Sequence, residues 1–261
     1  MNRERALLLM GTRVLLMQIA HPMVAESVYN HSYVFKKPIK RLFRTLSLTL
    51  ALVYGTQSET EIALKEIEEA HRPATGRLTE PIGKHMSGAA YNPRNPRQAF
   101  WVQATLVEGA VTGYETFVGP LSEADKQAFY VESQQIGVWM GINRQRMPAT
   151  YNAMLDYMQE AVETGEVAVS EKARKIAPFI TGQSWPGLSL LSHPLYRLSV
   201  GLLPGTIQQQ FGFKPFSPFE QHTLNIIQAA TYRFLPLMPG FLRYMTPYQR
   251  AMARLRAHAV D

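Results

Sequence analysis

Apolar positions recur along most of this chain at three- and four-residue spacing, which is the period of a helix and not of a strand. Over 4–20 the apolar residues, Leu7, Leu8, Val14, Leu15 and Ile19 among them, cover more than one face. A helix of that kind belongs in the middle of a bundle. Pro22 steers His21 out of helical conformation, so the pattern predicts a break near His21 and a second, short helix over 23–31. Pro38 opens and Gly55 closes a helix over 38–54. Ser58 with Glu61 then reads as a capping box for a helix that runs to Pro73. Residues 74–92, rich in Gly and Pro, read as a loop or short hairpin. Further helices are predicted over 96–118 and 122–141, the latter capped by Ser122 with Asp125 at its third position. Others follow over 148–162, 170–178, 194–202, 217–234 and 246–258, with an irregular connection at 179–194. Period-two alternation is scarce, and neither an internal repeat nor a linker is visible. The expectation is an all-α fold, one helical-bundle domain of about ten helices spanning 1–261.

Composition sharpens that picture. Hydrophobic residues make up 46% and charged residues 18%, below the usual quarter of charged positions. A large core or a generous apolar pocket follows. The net charge of +7 is spread along the chain, with concentrations only at 35–41 and at the Arg-rich C-terminus. No nucleic-acid module or basic stripe with interleaved aromatics is present, so nucleic acid is set aside as a partner. Weak contact with an anionic membrane surface or an acidic substrate fits the charge. The absence of cysteine removes disulfides, thiolate ligands and thiol nucleophiles. The apolar N-terminus is interrupted by Arg13 and lacks a small-residue cleavage site before His21. No stretch is long enough for a transmembrane span, and a cytoplasmic protein is expected.

Three groups of residues could carry chemistry. His71 ends a predicted helix three positions after Glu68, the spacing of di-iron carboxylate bundles. Such a site needs two of these motifs, and the chain has one; locally, a satisfied helix-terminal histidine is the plainer reading. A single histidine does suit a haem, whose porphyrin supplies four donors of its own. Arg41, Arg44 and Thr45 lie within one helical turn. They are either a solvated edge or a pocket wall able to pair a carboxylate bidentately. His21, Glu26 and His31 fall within eleven residues, without a recognised metal spacing. Glu26, set among Val24, Ala25 and Val28, is a candidate general base if buried. Glu108 and Glu132 sit among aromatics on long helices and read as satisfied core carboxylates.

The ordered set of motifs resembles a known family. The run from Leu15 through Gln18 to His21-Pro22 and Val24-Ala25 comes first. His31-Ser32, then Arg41-Leu42 with Arg44-Thr45, Val53-Tyr54-Gly55 and His71 follow. Trp101-Val102, Ala104-Thr105, Tyr114-Glu115, Tyr130, Glu132 and Ile136-Gly137 continue it. Together they are similar to the rubber oxygenases (latex clearing proteins) and the mycophenolic-acid-pathway oxygenases, well over about 5–145 and weakly beyond. The resemblance implies an all-α fold around haem b, with His71 as the proximal iron ligand. It implies Arg41 and Thr45 on the distal side, Glu26 near the family's catalytic base, and His21 and His31 as further cofactor-side candidates. Where rubber oxygenases can carry an iron-capping lysine this chain has Arg44, and a guanidinium is a very poor iron ligand. The function implied is dioxygen activation on a hydrophobic small molecule such as an alkene or isoprenoid, with Arg41 or Arg44 stabilising developing negative charge. Oxidative cleavage, hydroxylation and peroxidase-like chemistry stay open at this point. So do a non-enzymatic haem- or lipid-binding protein and, as a further alternative, a di-iron carboxylate protein.

Overall fold

The computed structural model describes residues 1–185 and 189–258. Among them the chain forms thirteen α-helices and one two-stranded sheet, in the order α1 (Gly11–Ala20), α2 (Pro22–His31), α3 (Pro38–Tyr54), α4 (Gln57–His71), β1 (Gly76–Arg77), β2 (Ala90–Tyr91), α5 (Pro96–Phe117), α6 (Glu123–Trp139), α7 (Tyr151–Glu163), α8 (Glu171–Ile180), α9 (Ser189–Gly201), α10 (Gly205–Phe211), α11 (Pro218–Phe234), α12 (Gly240–Arg243) and α13 (Thr246–His258). The all-α expectation holds, and 74–92 does contain a hairpin, with Gly76 opposite Tyr91 and Arg77 opposite Ala90.

Four boundaries differ from the sequence reading. The first helix enters as a 3-10 turn over Arg5–Met10 before becoming α-helical at Gly11. The capping box of α4 is Thr56 with Glu59, two residues upstream of Ser58 and Glu61. Both pairs satisfy the motif; Gly55, closing α3, lets the chain turn early enough to use the first. α9 begins at Ser189 and carries Pro194 inside it, so only part of 179–194 is irregular, and 186–188 lie outside the described residues. The short helices α10 and α12, seven and four residues long, account for the larger number of helices; elements of one or two turns leave little periodic signal.

The core is built on α1 and α5. Eight of the ten residues of α1 are buried, which is why this helix is apolar all round. Gly109 and Gly113 lie on one face of α5; a methyl on the first would strike Val14 and one on the second Met10. That close approach brings Arg13 against Glu108. The guanidinium pairs bidentately with the carboxylate at 2.6 and 2.7 Å and donates from Nε to the Leu202 carbonyl at 2.7 Å. Thr112 donates to the same carboxylate at 3.0 Å. Trp101 is fully buried and donates to the Met17 carbonyl at 3.0 Å. One main hydrophobic cluster runs from α1 and α2 through α5, α7, α8 and α10.

α1 and α2 are bent by 104° where Pro22 breaks the helix. α3 and α4 form an antiparallel hairpin laid against this body. Of the seventeen residues of α3 only Leu52 is buried.

Candidate active site

His71 closes α4 with its side chain half-buried. Its imidazole makes no hydrogen bond or ion pair among the described residues, and burial lowers its pKa. The ring is therefore held neutral with a lone pair to give, as a metal ligand must be. Two contacts fix the register of the hairpin. Thr60 donates to the Ala51 carbonyl at 3.3 Å, and Arg44 reaches Glu66 at 3.3 Å. In that antiparallel arrangement His71, at the end of α4, lies at the same end of the hairpin as the start of α3, which carries Arg41.

Arg41 donates from Nε to Ser32 Oγ at 2.8 Å. That hydroxyl is its single hydrogen-bond partner among the described residues, and no carboxylate answers its charge. Part of the side chain reaches solvent, yet protein surrounds it closely enough that burial lowers its pKa, against a weaker opposing effect of Tyr33. A desolvated cation without a counter-ion is costly in a folded protein. The free guanidinium fork is thus suited to an anion that the chain itself does not supply.

Just before Arg41 an open cleft of about 450 Å³ is lined by Lys36, Lys37, Pro38, Ile39, Lys40 and Trp185. Its size falls in the range of small-molecule pockets.

The same helical turn sends Arg44 and Thr45 elsewhere. Both are exposed. Arg44 is held by Tyr33 and Glu66, which raise its pKa. The Thr45 carbonyl accepts from Thr49 at 2.9 Å. Periodicity predicts a shared face for Arg41 and Thr45, but only Arg41 is engaged with the body of the fold, because Ser32 at the end of α2 draws it inward.

Glu26 is buried, as its apolar neighbours suggest, but it is not alone. Its Oε1 accepts from Lys172 Nζ at 2.5 Å and from Asn30 Nδ2 at 3.2 Å. Asn30 also donates to the Tyr91 hydroxyl at 3.2 Å, and that hydroxyl shares a 3.0 Å hydrogen bond with His31 Nε2. Lys172 reaches Thr79 Oγ1 at 3.3 Å. One polar chain therefore links α8, α2 and β2, ending at the exposed His31. A cavity of about 120 Å³ lies beside Glu26 and Lys172, room for a few waters. Ser27, on the next position of α2, donates to the Ala74 carbonyl at 3.3 Å and so ties the segment after His71 to the same helix.

His21 stands apart from these groups. Fully buried at the start of α2, it caps the helix by accepting the Met23 N–H on Nδ1 at 3.2 Å. Its neutral ring then carries the proton on Nε2. Burial, with a smaller contribution from the neighbouring His85, lowers its pKa to about 4. Its rings against His85 and Trp101, centroids 5.8 and 6.4 Å away, make it a packing residue of the core.

Sequence reasoning missed Lys172, Asn30 and Tyr91, and it named Ser32 only within the His31-Ser32 motif, without a role. Ser170 does mark the start of α8, which would have placed Lys172 on its first turn. Nothing local connects it to Glu26 across 146 positions. Among the described residues no group of three or more His, Asp or Glu side chains is placed to hold a metal ion. A di-iron centre needs such a cluster, whereas a haem asks the protein for one imidazole.

The family model described as "ER-bound oxygenase mpaB/B'/Rubber oxygenase, catalytic domain" matches residues 1–235, well past the stretch carrying the clearest motifs. The chain is also 25% identical over 177 residues to the uncharacterized protein Mb2261 of Mycobacterium bovis and, equally, to the uncharacterized protein Rv2237 of Mycobacterium tuberculosis. The match covers 66% of this chain and 66% of each relative, just under two thirds of their length. No solved structure matches.

Proposed function

The chain belongs to the mpaB and rubber oxygenase catalytic-domain family, an oxygenase family, and from that premise we propose that it is a haem b-dependent oxygenase acting on a hydrophobic small molecule, an alkene or isoprenoid by class. The observation that carries this reading is the pairing of two unanswered groups at one end of the α3–α4 hairpin. One is the neutral, unpartnered imidazole of His71; the other is the desolvated guanidinium of Arg41, which has no carboxylate partner among the described residues. These residues fit a flat apolar group that brings a metal for the first and carboxylates for the second. The sparse packing of α3, a largely apolar helix with one buried residue, leaves its Leu42, Leu46 and Leu48 half-exposed and able to face such a group.

A haem held by His71 would supply the one-electron and dioxygen chemistry that no side chain of this protein can perform. The residues do the rest. His71 would hold the group through its neutral imidazole. Arg41, anchored through Nε to Ser32, would offer its remaining N–H donors to a carboxylate of such a group. Glu26 holds its proton acceptor, Oε1, between Lys172 and Asn30, and the hydroxyl of Tyr91 carries that network to His31. The Asn30 amide donates in both directions and cannot pass a proton, so this network fixes the position of Glu26, and any proton exchange at its carboxylate runs through the small cavity it shares with Lys172. The apolar half-buried residues of α3 exclude water and select an apolar substrate.

The test is the absorption spectrum of protein expressed with haem supply. A Soret band is expected in the wild type, and His71→Ala should lose it or shift it, with dioxygen consumption on an alkene falling by about a hundredfold or more. A band unchanged by that substitution would remove His71 from the iron. A haem-loaded wild type that consumes no dioxygen with any alkene offered would leave a carrier in place of an enzyme.

A further inference from the structure

Helix α11, in the C-terminal part of the fold, is built inside out. The face it turns to α5 is largely polar. Gln228 donates to the Glu115 carbonyl at 3.3 Å, the Tyr232 hydroxyl bonds the same carbonyl, and only Leu224 is buried. The face it turns outward carries Phe219, Ile226 and Phe234, spaced seven and eight residues apart and so on one side of the helix. Phe219 is 78% exposed. The stripe runs about 25 Å along the helix and continues into a tip: Leu237 is 76% and Phe241 66% exposed, with Met238 and Leu242 beside them. His222, Thr223 and Arg233 are exposed on the same side, so the face is amphipathic, with large apolar side chains set among polar and basic ones.

Charge indicates what covers it. Of the basic residues in 214–258, Arg243 and Arg254 are answered by Glu4 and Glu59, and the carboxylate of Glu220 is paired with Arg197 at 2.5 Å. Lys214, Arg233, Arg250 and Arg256 make no ion pair among the described residues, and Arg233 falls on the same side of α11 as Phe219. A second copy of this chain would bring the same positive charge to the contact and be repelled, whereas an anionic lipid headgroup layer would attract it. Among the described residues no single helix is long and apolar enough to cross a membrane, so the contact lies in the interface and does not span it.

We propose that the outer face of α11 and the 234–242 tip dock this protein on an anionic lipid surface, the aromatic and aliphatic side chains entering the headgroup boundary and the arginines pairing with phosphates. The arm itself is held to the body by Arg243 on Glu4 at 2.8 and 2.9 Å and by Arg254 on the Tyr54 carbonyl at 2.6 Å. Docking would therefore fix the orientation of the α3–α4 hairpin, whose loop end Arg254 grips. The proposal stands on this surface alone and does not depend on the bound cofactor.

The test is co-sedimentation of the full chain with phosphatidylcholine vesicles containing or lacking phosphatidylserine. The wild type should bind the anionic vesicles and bind neutral ones weakly, with the difference lost in high salt. The double variant L237E/F241E should bind about a hundredfold more weakly. Its thermal unfolding should match the wild type, since both side chains are exposed. The three native tryptophans, Trp101, Trp139 and Trp185, lie outside the arm. F241W therefore reports locally, and its emission should shift to the blue on anionic vesicles alone. Binding indifferent to phosphatidylserine, or no vesicle binding at all, overturns the proposal. So does a solution dimer that L237E/F241E dissociates while vesicles are ignored.

Discussion

Two helices of this protein are nearly as apolar as each other and meet opposite fates. α1 buries eight of ten residues and α3 one of seventeen. Around α1 every demand is met by protein: glycines on α5 admit the close approach, and even Arg13 has its carboxylate and a carbonyl. Around α3 the demands are left standing. Its leucines are half-exposed, and among the described residues Arg41 has one hydroxyl and the imidazole of His71 no hydrogen bond. The same contrast separates the two histidines, His21 capped and packed on Trp101, His71 without a side-chain partner among the described residues. A region that closes all its bonds is built for stability. One that keeps a cation without a carboxylate and an imidazole without a hydrogen bond, among the described residues, is the region where the proposed cofactor would fit.

The sharpest way to break the comparison is to open the closed side. Glu108→Ala leaves Arg13 buried without its partner and should destabilise the fold by about 3–5 kcal/mol, read as a lower midpoint in urea. Any haem retained below the transition should keep its spectrum, because α1 and α5 do not carry the candidate ligand. An equal loss of haem and of stability would instead tie the two regions together.

A smaller cost comes from acid. His21 titrates near 6.5 when unfolded and at about 4 when folded. Its folded pKa is depressed, so its contribution is complete above pH 6.5 and is lost as the pH falls toward 4. The shift corresponds to about 3 kcal/mol over that window. Unfolding free energies measured at pH 7 and pH 4 should show the difference, and His21→Asn, which keeps a capping acceptor but does not titrate, should flatten it. His71 shifts the same way, for the same reason of burial, and leaves a weaker residue of the slope in that variant.

Most helices of this fold were legible because their signals are local. Pro22, Pro38, Ser122 and the apolar period placed breaks, starts and faces to within a few residues. The Thr56 box was misassigned to Ser58 because both serve as caps and only the turn at Gly55 chooses between them. Of the candidate site, the sequence placed Arg41 and His71 in order and left open whether Glu26 is buried, which it is. What it could not convey were the partners that define their chemistry. Lys172 lies 146 positions from Glu26 and Glu108 lies 95 from Arg13; no spacing rule spans such distances. The divergence of Arg41 from Arg44 was equally hidden. Residues three apart share a face, and only Ser32 at the end of α2 decides which arginine turns inward.

On the open side the expected effects are functional and not structural. Arg41→Ala removes a desolvated charge that contributes no ion pair, so stability should hold or rise slightly. Haem affinity should fall about tenfold or more, in keeping with loss of a charge-assisted contact worth about 1.5–3 kcal/mol. Titration of apo-protein with haem measures it, and Arg41→Lys should recover only part, since a point charge cannot replace the planar fork.

The finest distinction is between the two arginines. Arg44 pairs with Glu66 in the open, both side chains more than two-fifths exposed. Such pairs contribute about 0.5 kcal/mol or less. Arg44→Ala should therefore change neither the unfolding midpoint nor the haem titration by more than the error of either measurement, although it lies three residues from Arg41 on the same helix. If Arg44→Ala matched Arg41→Ala in haem affinity, the hairpin would have to rotate α3 on binding, turning toward the cofactor the face that now meets solvent. Thr45→Val separates that case further. With Thr45 exposed and its hydroxyl without a hydrogen bond among the described residues, loss of the hydroxyl should be silent unless α3 turns, and a defect in both variants together would measure the rotation that neither shows alone.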